Sequence, residues 1–209
     1  MTESKNKIHW ENIYETKNSS QVSWTQDVPK TSLEIIQSFG MDKTARIIDV
    51  GGGDSKLVDY LLEIGYEDVT VLDISAKAIQ KAKDRLGENA EKVKWIVRDV
   101  NEFEPDRPFD IWHDRATFHF LTASEQISRY LDLARGNICG YMVIGTFSTN
   151  GPTECSGLAI KQYDEQSLAT ILGSGFDKLT CITEDHLTPF GTRQNFLFCS
   201  FRRKLKISV

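Results

Sequence analysis

The chain has 209 residues, a formal net charge of -5, 40% hydrophobic residues and 26% charged residues, a balance typical of a folded globular protein and not of a disordered one. Its only dense basic run, Arg202-Arg203-Lys204, lies near the C-terminus, so the sequence does not predict the cationic surface that nucleic-acid binding requires. No segment has the length of a membrane span or the apolar core of a signal peptide, so we expect a soluble, cytoplasmic protein that binds neither nucleic acid nor membrane.

Short apolar, β-branched runs alternate with amphipathic stretches from residue 46 onwards. This pattern predicts strands at 46–50, 69–73, 93–97, 109–113 and 141–145, and helices at 56–64, 76–86 and 124–134. Alternation of strands with helices is typical of an α/β protein whose parallel sheet is covered on both faces.

Two further strand-like runs, 176–184 and 194–201, are joined by a segment too short to hold a helix. They predict an antiparallel hairpin at the edge of the sheet. The chain has no internal repeat and no linker, which indicates one domain over residues 1–209.

The four cysteines are widely spaced and form no Cys-x-x-Cys pair. The spacing therefore predicts reduced, mostly buried thiols and no metal site. These residues are Cys139, Cys155, Cys181 and Cys199.

A glycine-rich turn, Asp49-Val-Gly51-Gly52-Gly53-Asp-Ser, joins the first predicted strand to the first helix of the alternating region. Ligands of open α/β sheets bind at such a turn, and glycines let a ligand lie against bare backbone. A carboxylate at Asp49 would repel a pyrophosphate but suits a ligand with an ammonium and a sulfonium group. The missing third glycine of the dinucleotide fingerprint also argues against a nicotinamide-dependent oxidoreductase.

Two more carboxylates follow the next two strands. Asp73 ends the second strand, about 20 residues beyond the turn, at the distance where an acidic residue accepts hydrogen bonds from ribose hydroxyls. Asp99 follows the third strand, where it is placed to bind an adenine amino group while Ile74 and Val100 pack on the ring. The sequence therefore predicts an adenosine-binding crevice.

With Asp49, Gly51 and Gly53 matching an acidic-x-Gly-x-Gly motif, the sequence resembles the class I S-adenosylmethionine-dependent methyltransferases. The resemblance implies a Rossmann-like three-layer sandwich, whose seven-stranded, mostly parallel sheet has an antiparallel C-terminal strand. It implies S-adenosyl-L-methionine as cofactor and S-adenosyl-L-homocysteine as product. It also implies that Asp73 binds the ribose, Asp99 the adenine, and the backbone of residues 51–53 the methionine part.

The N-terminal aromatic residues look like the lid that covers the cofactor in such enzymes, with residues 1–40 as a helical cap on a core of residues 45–204. Trp24 is the residue we expect to contact the cofactor, whereas Trp10 equally fits a helix stapled to the core.

The most polar segment at the predicted crevice follows the fourth strand and contains His113, Asp114, Arg115 and His119. We expect His113 to face the cofactor. His119 or Asp114 is the candidate base, because imidazole titrates near neutral pH and a carboxylate can orient it. A structural role of His119 between its flanking phenylalanines is the alternative. Arg115 is a candidate for holding an anionic substrate group or for neutralising a nearby aspartate.

Only resemblance to branches of this family indicates which class of acceptor the chain methylates. Asp114-Arg115-Ala116 and Asn150-Gly151-Pro152 resemble the thiopurine methyltransferase branch, which favours a small-molecule thiol, amine or carboxylate. The opening Trp-x-x-x-Tyr and Ser-Trp segments are similar to small protein-lysine methyltransferases, which keeps a protein acceptor as the alternative. A third possibility is a non-catalytic S-adenosylmethionine-binding module, which would not need the polar segment at 113–119.

Overall fold

The computed structural model describes residues 4–204. Its helices are α1 (Lys5–Thr16), α2 (Lys30–Ser38), α3 (Leu57–Glu63), α4 (Ala76–Leu86), α5 (Ser124–Asn137) and α6 (Glu165–Leu172). Its strands are β1 (Arg46–Val50), β2 (Asp68–Asp73), β3 (Val93–Val97), β4 (Phe109–Arg115), β5 (Ile138–Phe147), β6 (Glu154–Cys155), β7 (Leu158–Ala159), β8 (Phe176–Leu187) and β9 (Arg193–Arg203). Between residues 4 and 204, no helix has the length and apolar character that crossing a membrane requires.

Seven of these strands form one sheet in the order β3-β2-β1-β4-β5-β9-β8. The pairs from β3 to β5 are parallel, and β9 runs antiparallel to both of its neighbours. The predicted mostly parallel, seven-stranded sheet with an antiparallel C-terminal hairpin is therefore confirmed. The strand order reverses between β1 and β4, so the crevice at their carboxyl ends is where such a fold binds its ligand.

Alternate residues of the central strands point to opposite faces of the sheet. Ile48 and Trp112 lie in the core shared with α5 and α6, whereas Ile47 and Ile111 lie in the core shared with α2 and α3. This alternation separates two neighbours in β4: His113 belongs to the α2 face and Asp114 to the α5 face.

The N-terminal segment has two structural roles. Leu33 and Ile36 of α2 are buried in the sheet's core, so this helix is one of the layers that cover the sheet. Of the described N-terminal residues, those before α2 lie at the carboxyl edge of the sheet, where α1 packs on α4.

The expectation that the cysteines are reduced is wrong for one pair. Cys181 of β8 and Cys199 of β9 form a disulfide. The register of the hairpin places them directly opposite each other, with their Cα atoms 4.1 Å apart, although 18 residues separate them in sequence. Cys139 and Cys155 are free, the first exposed and the second buried.

Candidate active site

A cavity of about 430 Å³ lies at the carboxyl edge of the central strands, under the N-terminal segment. Nine of the ten residues predicted to bind a cofactor line it: Trp24, Asp49, Gly51, Gly52, Asp73, Ile74, Asp99, Val100 and His113. The tenth, Gly53, lies next to the lining residue Asp73, since a Cβ at Gly53 would meet Asp73 Oδ2 at 3.0 Å.

The glycine turn is packed so closely that neither Gly51 nor Gly52 has room for a Cβ atom. Gly51 has a φ of +66°, and a Cβ at this position would lie 1.7 Å from Thr117 Oγ1. A Cβ at Gly52 would lie 2.6 Å from Asp49 Oδ2. The turn therefore presents bare backbone to the cavity, as the sequence predicted.

Arg85 of α4 lines the cavity and holds this turn by hydrogen bonds. Its guanidinium donates to the carbonyl oxygens of Asp54 and Ser55, each at 2.8 Å, and to both carboxylate oxygens of Asp59 in α3. We infer that Arg85 positions the turn. Sequence reasoning missed it, because an arginine on an amphipathic helix gives no signal different from that of a surface residue.

Asp49 is held by a buried chain of hydrogen bonds. Its Oδ1 lies 2.7 Å from His113 Nδ1, and His113 Nε2 lies 2.8 Å from the hydroxyl oxygen of Ser32 in α2. All three side chains are buried. His113 lines the cavity as expected, but protein groups occupy both of its ring nitrogens, so it is a positioning residue for Asp49.

Asp73 offers a buried carboxylate to a ligand. Its Oδ1 accepts a hydrogen bond from the backbone N–H of Ser75 at 2.8 Å. Burial raises the pKa of Asp73 to about 7, and the neighbouring carboxylates of Asp54 and Asp49 contribute to the rise. Hydroxyl donors would stabilise the ionised form, which is the role expected of a ribose-binding residue.

Asp99 and Val100 form the far wall of the same cavity. Asp99 is half-buried and accepts from the backbone N–H of Asn101 at 2.9 Å. Val100 is buried and Ile74 is half-buried, so a flat ring between them would meet apolar surface, with a carboxylate at its edge.

Four aromatic side chains of the cavity lining pack on one another. Trp10 contacts the rings of Tyr14, Trp24 and Phe120, with ring centroids 6.4, 5.7 and 5.2 Å apart. Trp10 and Tyr14 come from α1, and Phe120 comes from a 3-10 turn after β4. The predicted aromatic lid thus reaches the cavity, and Phe120 is a member that the sequence did not single out.

Glu11 anchors α1 over the cavity. Its carboxylate accepts from the backbone N–H groups of Ala76 and Lys77, at 2.8 and 3.1 Å, and from the Ser75 hydroxyl at 2.9 Å. These are free donors at the N-terminus of α4, where a negative charge is favoured. The anchor point lies two residues after Asp73, which links the lid to the predicted ribose site.

The expected partnership of Asp114 with His119 is corrected by the structure. Asp114 is fully buried on the α5 face and does not line the cavity. Its oxygens accept from the backbone N–H groups of Thr117 and Phe118 and from the Tyr130 hydroxyl. Burial raises the pKa of Asp114 to about 6, and its contacts indicate that it stabilises the turn after β4.

His119 is also fully buried and lies outside the cavity lining. Its Nδ1 accepts from the backbone N–H of Phe147 at 3.3 Å, and its ring packs against those of Phe120 and Phe147. Burial, aided by the charge of Arg115, lowers the pKa of His119 to about 3. This placement favours the structural alternative over a general base.

Arg115, the third residue predicted to act on the substrate, does line the cavity. Its Nη1 donates to the carbonyl oxygen of Trp24 at 3.0 Å, and its guanidinium carbon lies 4.7 Å from the centre of the Phe196 ring. Arg115 therefore stands where the lid meets the end of β4.

The bare glycine turn, the buried carboxylates of Asp49 and Asp73 and the apolar wall at Val100 fit an adenosyl ligand with a positively charged amino-acid part. They sit at the switch point of a mostly parallel sheet. Fold and site together define the class of nucleoside-binding α/β enzymes.

Residues 47–135 match the family model described as a methyltransferase domain. A crystal structure of 1,6-didemethyltoxoflavin-N1-methyltransferase from Burkholderia thailandensis, with bound 1,6-didemethyltoxoflavin and S-adenosylhomocysteine, has a similar fold. The TM-score is 0.71 at 18% identity, over 96% of this chain and 88% of that chain. Asp49, Asp73, Asp99 and the glycine turn all lie within residues 47–135, so the part of the chain that carries the predicted site is similar to a methyltransferase domain, as the sequence motif implied.

Two curated relatives match about half of the chain. One is the mouse eEF1A lysine and N-terminal methyltransferase, 24% identical over 119 residues, which are 56% of this chain and 17% of the relative. The other is the malonyl-[acyl-carrier protein] O-methyltransferase of Anoxybacillus flavithermus, 33% identical over 126 residues, which are 57% of this chain and 47% of the relative. The chain thus spans less than half the length of both relatives.

Proposed function

We propose that this chain transfers the methyl group of S-adenosylmethionine to a small-molecule acceptor that presents a thiol, an amine or a carboxylate. The observation that supports this most directly is the aromatic cover of Trp10, Trp24 and Phe120 over one end of the cavity. The whole cavity measures about 430 Å³, near the lower end of the range for small-ligand sites, and the cofactor takes up part of it. The remaining space suits a small acceptor with apolar surface.

When bound, the cofactor would supply a methyl group on a positive sulfonium: an electron pair of the acceptor would form the new bond to the methyl carbon while the carbon–sulfur bond breaks and S-adenosylhomocysteine leaves. The chain's own contribution is alignment of the acceptor and exclusion of water. Asp49 and the glycine turn fix one end of the cavity, and the aromatic cover keeps water from the other. Since His119 and Asp114 lie outside the lining and both His113 nitrogens are engaged, none of these three side chains serves as the base.

The test is an acceptor screen with the purified protein and S-adenosylmethionine, in which S-adenosylhomocysteine is quantified by mass spectrometry. Small thiols, amines and carboxylates form one set and lysine-containing peptides the other. We expect product only with the first set, and none with an Asp73→Ala variant. Product from peptides alone would refute a small-molecule acceptor.

A protein lysine is the second candidate, and one observation favours it. The faces of Trp rings attract ammonium groups, and Trp10 and Trp24 lie together in the aromatic cover. The matched mouse relative is a lysine and N-terminal methyltransferase. The peptide arm of the screen decides between the two candidates.

A further inference from the structure

Arg115 carries a charge that the described part of the protein does not neutralise. Among residues 4–204, no carboxylate lies within 4 Å of its guanidinium. Its pKa, lowered by burial to about 10, still leaves it protonated at neutral pH. A buried cation without a counter-ion is costly, so such a group is rarely retained without a partner.

The carboxylates whose charges reach Arg115 are bound to other groups. Asp49 is bonded to His113. Glu184 accepts from the hydroxyl of Thr31 and from the side-chain amide of Gln26. Both carboxylates raise the pKa of Arg115 by longer-range attraction, but neither lies within 4 Å of its guanidinium.

The other polar side chains near Arg115 are neutral. Burial raises the pKa of the Cys155 thiol to about 11, so Cys155 is not a thiolate at neutral pH. Burial and the charge of Arg115 lower the pKa of His186, which favours its uncharged form. His119, with its pKa lowered to about 3, is an uncharged imidazole.

Two of the guanidinium nitrogens have no hydrogen-bond partner. Nη1 donates to Trp24, whereas the buried Nε and Nη2 atoms of Arg115 bond to no described residue. Nε and Nη2 form one edge of the planar guanidinium, and the two N–H bonds along that edge match the two oxygens of a carboxylate. The ring of Phe196 supports the guanidinium plane from one side.

We propose that Arg115, which lines the cavity, is the acceptor-binding residue and that the acceptor is a small molecule carrying a carboxylate, which the Nε–Nη2 edge meets when the side chain turns out of its buried position. This inference rests on the proposed small-molecule activity and names the substrate class. A carboxylate would supply the missing counter-ion between Arg115 and the positive cofactor. The same two positive charges disfavour a protonated lysine side chain in this position.

The experiment compares pairs of probes that differ in charge but hardly in shape: benzoate with benzamide, and phenylacetate with phenylacetamide. Binding is measured by ligand-observed NMR to protein saturated with S-adenosylhomocysteine. We expect wild-type protein to bind each carboxylate at least about tenfold more tightly than its amide, as a bidentate charged contact predicts. Arg115→Gln should abolish this preference, and Arg115→Lys, which keeps the charge but not the planar edge, should retain part of it.

The matched control is Arg129→Gln, which removes an exposed arginine of α5 and should leave the preference unchanged. Calorimetry with S-adenosylhomocysteine shows whether Arg115→Gln keeps the cofactor site, and we expect affinity within about threefold of wild type. A loss of cofactor affinity in Arg115→Gln together with an unchanged carboxylate preference would make Arg115 a support of the lid and overturn the proposal.

The proposal would also be overturned if the wild-type protein bound acids and amides equally well. It would be overturned too if neither acid bound at about 10 mM. These results are distinct from failure of the proposed function. If small neutral acceptors are methylated while acids show no preference, only the role of Arg115 fails. If peptides alone are methylated, the small-molecule function fails.

Discussion

The two halves of the cavity are built in different ways. The cofactor half consists of the glycine turn, Asp73 and Asp99, each at or near the carboxyl end of a parallel strand of the sheet. The acceptor half consists of Trp10, Trp24, Arg115 and Phe120, which come from separate segments of the chain. Local backbone geometry places the first set, whereas packing between distant side chains places the second.

This difference implies that the halves respond differently to substitution. In the cofactor half, Gly51 and Gly52 leave no room for a Cβ, and Arg85 holds the turn through backbone carbonyls. In the acceptor half, the aromatic side chains of Trp10, Trp24 and Phe120 are held by contacts with one another. We therefore expect changes in the first half to weaken cofactor binding and changes in the second to alter the choice of acceptor.

The largest effect is expected from Asp73→Ala. The substitution removes a buried carboxylate that we expect to accept hydrogen bonds from ribose hydroxyls, and charged hydrogen bonds of this kind are worth roughly 1.5–3 kcal/mol each. Affinity for S-adenosylhomocysteine, measured by calorimetry, should fall about 100-fold. Asp84→Asn, on the exposed face of α4, is the control. Unchanged affinity in Asp73→Ala would place the ribose elsewhere.

Tyr130→Phe should lower stability while leaving the cofactor half intact. The Tyr130 hydroxyl donates to Asp114 Oδ2 at 2.7 Å and accepts from Trp112 Nε1 at 2.9 Å, and these two atoms would be left unsatisfied in the core. The free energy of unfolding, measured in urea, should fall by about 2 kcal/mol. Affinity for S-adenosylhomocysteine should not change.

Tyr60→Phe is the matched control for this variant, since its hydroxyl bonds to the Asp27 carbonyl at the surface. A loss of cofactor affinity in Tyr130→Phe at unchanged stability would return Asp114 to the active site.

The sequence predicts the fold and the cofactor half because both depend on local signals. Strand-helix alternation and the glycine turn with its following carboxylates place Asp49, Asp73 and Asp99 at one edge of the sheet. It does not predict that Asp114 lies away from the cavity, because neighbours in a strand face opposite sides of the sheet and pattern alone does not show which face reaches the cavity. For His119 it leaves a catalytic and a structural role open, and the packing of the ring against Phe120 and Phe147 favours the second. It also fails at Cys181 and Cys199, which only the register of the β8–β9 hairpin brings together.

The smallest effect is expected from Glu11→Ala, which tests the contact between α1 and α4. Glu11→Ala removes the carboxylate that caps the N-terminus of α4, a contact comparable to a helix cap and worth about 1 kcal/mol. Because the anchor ties α1 to the loop after Asp73, we expect affinity for S-adenosylhomocysteine to fall about fivefold and amide exchange to rise in α1. Glu15→Ala removes only the exposed ion pair with Lys77 one turn later and should change neither. Equal effects of the two variants would mean that α1 acts through its general charge, whereas an effect of Glu11 alone would identify it as the contact that holds the lid over the cofactor.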